Sequence, residues 1–313
     1  MGRGTLHIPL WAQIWLIVLS LTLVWGSTFI LVKWTLTVLN PLQVFGSRIV
    51  LATLFILPFS FRRLPALPRR ELPKLALFGL LANLVSPLLF ATAQTRIESS
   101  MTGMLNTLTP VLTLFVGALV YGERVRRMHW IGLLLGLCGS LLLLSERAGP
   151  ARPFDPFAGI ALLAMISNGF TINMLKFNLR GYAALQIASA AFLTVFPLAL
   201  AVVLGTGVVP ELITHPGGLR ALLWLVLLAA LANVMGLILM GKLVQLSSPV
   251  FTSMVTYLMP LVAIAWGLLD GEPIMPLQWF SMGVILLSVW AVNYADVQNT
   301  ARSANSAPGS ANA

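Results

Sequence analysis

Residues Ser99–Arg124 read SSMTGMLNTLTPVLTLFVGALVYGER, and residues Ser248–Pro273 read SPVFTSMVTYLMPLVAIAWGLLDGEP. The two stretches repeat one pattern. Pro110 falls over Pro260 and Gly117 over Gly267, both at an offset of 150 residues, and Gly122-Glu123 falls over Gly271-Glu272 at 149. Each is a long apolar run with a proline near its middle and a Gly-Glu pair at its exit. The rest of the chain has to fit that duplication.

Composition fixes the solvent. The chain has 313 residues, of which 58% are hydrophobic and 9% charged, with a mean hydropathy of +0.92. Soluble domains carry about 25% charged residues. So few charges do not make a water-facing surface, so lipid bathes most of this chain. The net charge of +10 does not point to nucleic acid, because the basic residues cluster in short loops between apolar runs, as topology signals do. The single cysteine, Cys138, lies inside an apolar run and has no intrachain disulfide partner. His7, His129 and His215 fall at or near run ends and form no cluster with Cys. No metal or cofactor site is expected.

Ten apolar runs are expected to span the bilayer: 11–32, 42–61, 72–93, 99–121, 128–145, 157–177, 183–204, 219–241, 249–269 and 276–294. Each is near the roughly 20 residues that a tilted helix needs. The first run passes straight into Trp25, Gly26, Ser27, Thr28 and Phe29 and is read as a retained helix, not a cleaved signal. With the N-terminus in the cytoplasm, 13 of the 19 Lys and Arg fall on inside segments, led by Arg62, Arg63, Arg69, Arg70 and Lys74. Lys33, Arg96, Arg147, Arg152 and Arg220 fall outside, and Arg48 lies within a helix. This bias places both termini in the cytoplasm.

The duplication extends beyond the opening pair. Leu81-Ala82-Asn83 matches Leu231-Ala232-Asn233 at 150, Trp130 matches Trp279 at 149, and Gly26 and Lys33 match Gly169 and Lys176 at 143. Five helices per half is an odd number, so the halves enter the membrane from opposite sides. The expected fold is an all-α integral membrane protein of ten transmembrane helices arranged as two inverted five-helix repeats, a plan used by many secondary transporters. The expected organisation is a cytoplasmic N-terminus (1–10), a first repeat (11–147), an external linker (148–156), a second repeat (157–295) and a disordered cytoplasmic tail (296–313).

The segment Trp25 to Phe29 with Lys33, Arg48 in the second helix, the Asn106–Pro110 turn and the Tyr121-Gly122-Glu123 exit resemble the EamA family of the drug/metabolite transporter superfamily. The second-half counterparts are Tyr257–Pro260 and Asp270-Gly271-Glu272, and the resemblance runs from about 11 to 294. It implies a carrier fold with helices 1, 3, 4, 6, 8 and 9 around a central cavity. The implied activity ranges from amino acid export to uptake or efflux of other small metabolites.

Polar residues inside apolar runs are the site candidates, since burial costs free energy unless they are paired or wet. They are Trp25, Thr28 and Phe29 in helix 1, Arg48 in helix 2, Asn83 and Ser86 in helix 3, Asn106 and Thr109 in helix 4, Asn168 and Thr171 in helix 6, Asn233 in helix 8, and Thr256 and Tyr257 in helix 9. Pro110 and Pro260 are expected helix breaks, because a mid-helix proline removes a backbone hydrogen bond. They either flex during transport or only shape the bundle. Asn83 and Asn233 either contact cargo or bond helices to one another. Lys33 and Lys176 at helix ends suit snorkelling to the headgroups. Arg48 lies deeper and either binds a substrate carboxylate or phosphate or bonds helix ends. No Asp or Glu falls in the interior of a predicted span. That absence points to facilitated diffusion or exchange, or to coupling through an acid at a helix end; Glu123 and Glu272 are the repeat-matched acids, and pairing with a nearby Arg or capping a loop is the preferred reading of both.

The leading expectation is a secondary transporter in the inner membrane that moves a small polar metabolite, as an exporter of amino acids or related compounds. The alternative is an exchanger of anionic or phosphorylated metabolites. An integral membrane enzyme is the remote alternative, since paired carboxylates, a His cluster and a nucleophile with its base are all missing. No GxxxxGK[ST] pattern supports ATP-driven transport. The expected partners are a small-molecule substrate and the lipid bilayer, not nucleic acid, with a homodimer left open.

Overall fold

A computed structural model describes residues 9–60, 69–122, 127–148, 156–246 and 249–305. Among these residues the regular structure is helical, with no strand. The chain begins with α1 (Leu10–Gly26) and α2 (Thr28–Thr35), which form one apolar stretch hinged at Ser27. Then come α3 (Pro41–Ser60), α4 (Leu72–Gly79), a π-helical segment Leu80–Val85 and α5 (Ser86–Ala93). The helices α6 (Ser99–Asn106) and α7 (Thr109–Tyr121) meet at 45°, and α8 (Arg127–Ala148) ends the first half.

The second half opens with α9 (Pro156–Phe177), α10 (Ala184–Gly205) and the short α11 (Val208–Thr214). There follow α12 (Gly218–Leu227), a second π-helical segment Leu228–Met235, α13 (Gly236–Leu246), α14 (Pro249–Leu269) and α15 (Pro276–Asn305). Six stretches among the described residues are long and apolar enough to cross a membrane, or seven if the bent α6–α7 pair is one span. Three more apolar stretches, Trp130–Leu143, Leu258–Leu269 and Pro276–Ala291, are shorter. Length and apolarity alone therefore give fewer crossings than the ten expected.

Packing between the halves is reciprocal. The helix α3 packs on α10 and α8 on α15, joining matched elements. The contact of α1 with α14 has its counterpart in that of α9 with α7. Glycine makes these last two contacts possible. A Cβ on Gly26 would stand 2.6 Å from Val262 Cβ, and one on Gly169 would stand 3.2 Å from the Leu112 carbonyl. Between apolar tails, helices associate through such close approach, because lipid offers apolar side chains as good a solvent as a neighbouring helix does. The outer surface is correspondingly apolar, with Trp11, Leu16, Leu134, Leu204 and Leu269 all exposed.

Two expectations need correction. Pro110 lies at the start of α7, directly after a break, whereas Pro260 lies inside an uninterrupted α14. The two prolines are therefore not equivalent. Thr107 and Leu108 turn tightly, their amides donating three residues back to Met104 and Leu105. This turn lets Pro110 start a new helix, where its missing N–H costs nothing. The second correction concerns the tail. The last helix runs to Asn305 instead of ending near 296, since Gln298-Asn299-Thr300-Ala301-Arg302 contains no breaker. Residues 306–313, Glu123 and most of the linker lie outside the described residues.

Candidate functional site

The two π segments supply the site's distinguishing geometry. They occupy matched positions, and each contains the Leu-Ala-Asn triplet. The Ser86 amide donates five residues back, to Leu81. Pro87, which follows, has no N–H. The Ala82 carbonyl thereby loses its usual intrahelical donor. In the second segment the Gly236 amide likewise reaches back to Leu231, which frees the Ala232 carbonyl. The Trp25 indole N–H takes up that carbonyl at 3.1 Å. Such widened turns concentrate at functional sites, because they turn backbone groups outward.

Two cavities meet there. One, of about 380 Å³, is lined by the polar side chains of Thr28, Arg48, Ser86, Gln94, Asn106 and Asn168 and by apolar Trp25, Phe29, Val32, Phe90 and Met259. The other, of about 430 Å³, is bounded by Asn83, Asn233, Phe78, Phe192, Arg180 and Tyr182. Trp25, Ala82 and Ala232 line both and so form the wall between them. Both volumes suit a small metabolite.

The polar groups of the first cavity are held from behind. Asn233 Oδ1 accepts from Arg48 Nη2 at 2.6 Å and from Nε at 3.2 Å. Asn168 Oδ1 accepts from the Ser86 hydroxyl at 2.6 Å. Asn106 Oδ1 accepts from the Thr109 hydroxyl at 3.1 Å. Gln94 Nε2 donates to the Phe29 carbonyl at 2.9 Å.

At one end of the bundle a cluster of charged and polar groups ties the two halves together. Lys33 Nζ donates to Asp270 Oδ2 at 2.6 Å and to Glu272 Oε1 at 2.7 Å. Glu272 also accepts from the Ser99 amide and hydroxyl and from the Ser100 amide, capping the N-terminus of α6. Burial alone would raise the Glu272 carboxyl. The Lys33 ammonium and the Ser100 and Ser99 donors outweigh it and hold the group at about 2. Nearby, the Trp34 indole donates to Asp270, the Trp266 indole donates to the Ser27 hydroxyl, and the Trp34 and Trp266 rings meet edge to face. The α6–α7 pair runs from this latch to Tyr121, whose hydroxyl donates to Asn178 at the opposite end. The cavity edged by Arg180 and Tyr182 lies towards that opposite end.

Known proteins bear on what this arrangement is. The EamA-like transporter family matches the chain twice, over residues 11–145 and 157–294. The chain belongs to the EamA-like transporter family. It is 25% identical over 278 residues to the inner membrane transporter YedA of Escherichia coli strain K12, covering 86% of this chain and 87% of that one. A transporter of Haemophilus influenzae is 30% identical over 139 residues, 44% of each chain. A solved crystal structure shares the fold, with a TM-score of 0.54 at 16% identity, covering 90% of this chain and 96% of that one. The family and these relatives make the chain a membrane transporter and not an enzyme.

Against this EamA-like frame the candidate residues divide. Trp25, Thr28, Phe29, Arg48, Ser86, Asn106 and Asn168 are gathered around the first cavity, and Asn83 and Asn233 around the second. Thr109 stands behind Asn106, and Thr171 donates to the Asn168 carbonyl within its own helix. Thr256 lines neither cavity. Tyr257 lies in α14, but its side chain is outside the described residues. Sequence reasoning passed over Gln94 and the latch. Gln94 sits at a helix end, where polar residues are ordinary. Lys33 does not snorkel, because Asp270 and Glu272 hold it. Its acidic partners lie 237 and 239 residues away, a separation only the fold closes.

Proposed function

We infer that this protein is a secondary transporter that moves a small polar metabolite across the inner membrane by alternating access. The cargo class is amino acids or related compounds, and the direction is export. In this reading the ten apolar runs form two inverted five-helix halves with both termini in the cytoplasm, and the halves rock about a midplane site. The observation that carries the reading is the pair of cavities divided by Trp25, Ala82 and Ala232, with one end of the bundle latched by Lys33, Asp270 and Glu272. A carrier closed on one side and accessible from the other has this arrangement. The repeated glycines and reciprocal packing support two halves able to exchange roles.

The test is counterflow in proteoliposomes with labelled metabolites. Replacing Asn106 or Arg48 with Ala is expected to slow exchange by tenfold or more while the purified protein stays monodisperse. Parent rates in both variants would remove these residues from the pathway.

A further inference from the structure

The hydrogen-bond polarity of the first cavity specifies the charge of what it holds. Three side-chain amides near Arg48, those of Asn233, Asn168 and Asn106, turn their oxygens to donors within the protein, while Gln94 spends its NH₂ group instead. On each of these three the NH₂ group, a donor, is left over beside any spare lone pair on the oxygen. Asn233 Nδ2 is buried and has no partner among the described residues. Arg48 uses Nε and one N–H of Nη2 on Asn233, which leaves three of its five guanidinium donors without an acceptor among the described residues. Among the described residues no Asp or Glu lines either cavity. The acceptors among the lining residues are neutral, and they include Gln94 Oε1, the Thr28 and Ser86 hydroxyls and the carbonyl freed at Ala82.

Two observations thus converge: an uncompensated guanidinium and a donor-rich wall backed by apolar rings. A half-buried cation without an acid beside it is costly unless an anion joins it. The fork of a guanidinium matches a carboxylate in geometry. An ammonium group would meet only neutral acceptors here, and no lining carboxylate among the described residues would offset its repulsion from Arg48. The faces of Phe29, Phe90, Val32 and Met259 would take an apolar body.

We propose that the cargo is a small organic monoanion, a carboxylate with an apolar body and no ammonium group, bound through Arg48 with Asn168 and Asn106 as accessory donors. The proposal rests on the carrier reading above and narrows it. Among compounds related to amino acids, the 2-oxo acid is preferred over the zwitterion of the same skeleton.

The matched pair valine and 2-oxoisovalerate tests this, since the two differ only in carrying an ammonium or an oxo group beside the same carboxylate and isopropyl group. Proteoliposomes holding the full chain are loaded with either compound and assayed by counterflow. The expected result is exchange of 2-oxoisovalerate at least tenfold faster than valine, lost by at least tenfold in R48Q and reduced in N168L. Valine carried as fast as the oxo acid overturns the proposal and leaves the carrier reading standing. Exchange of neither, with a mixed metabolite pool still exchanging, does the same. No exchange of any solute defeats the carrier reading as well. The parent protein's choice between the two acids decides the matter even where R48Q does not fold.

Discussion

Replacing Glu272 with Gln isolates the latch. The substitution keeps side-chain volume and removes one charge from a carboxylate whose side chain is 2% exposed. That carboxylate serves Lys33 and the two serines that open α6. Its drop from the ordinary 4.5 to about 2 corresponds to about 3 kcal/mol in favour of the charged form. Little solvent screening reduces that figure, because so little of the side chain meets water. The ratio of latched to unlatched molecules should fall by roughly a hundredfold. Asp270 is the internal control. It is 23% exposed and holds Lys33 from the outer side. An exposed pair of this kind contributes about 0–1 kcal/mol. Hydrogen exchange followed by mass spectrometry on the α6 peptide reads both variants, since the Ser99 and Ser100 amides are donors to Glu272. E272Q should accelerate exchange at the start of α6 strongly and D270N only weakly. Equal exchange in E272Q and the parent, or a larger effect from D270N, would refute the assignment of the latch to the buried carboxylate.

Three further outcomes follow from the same geometry. A group held below its ordinary value stabilises the fold above that value and loses the effect as pH falls towards the folded one. The thermal midpoint of the parent minus that of E272Q should therefore be flat from pH 5 to 8 and shrink between about 4.5 and about 2. The G267A variant places a Cβ 2.6 Å from Glu272 Oε2 and 2.7 Å from Ser100 Cβ. It should reproduce the E272Q exchange pattern without touching a charge, and an unchanged pattern would show that the latch tolerates displacement. Removing Asn233 with N233A strips Arg48 of its protein partner and should cost about 1.5–3 kcal/mol in unfolding assays. The N83A variant, at the matched position but without that partner, should cost about 1 kcal/mol or less, and equal losses would refute the asymmetry.

The membrane, the helical class and the duplication were legible in the sequence because each depends on local pattern. Apolar runs of the right length declare their solvent, and recurring Pro, Gly and Leu-Ala-Asn positions declare the repeat. Trp25, Thr28, Ser86, Asn106 and Asn168 were also legible as candidates, since a polar group inside an apolar run stands out whatever its partner. The chain bends just ahead of Pro110 while α14 continues through Pro260, and the tight Thr107-Leu108 turn that makes this difference is not revealed by residue types alone.

Only the tertiary structure decided which polar groups face one another and which atoms they present. Nothing in the residue types says that Asn233 turns its oxygen to Arg48, or that Trp25 takes the Ala232 carbonyl released by a widened turn. Nor does spacing show that Lys33 meets acids more than 230 residues away. A one-dimensional pattern records how a residue differs from its neighbours along the chain. Hydrogen-bond polarity and charge pairing depend on distances across the bundle, and those distances are set only when the two halves pack together.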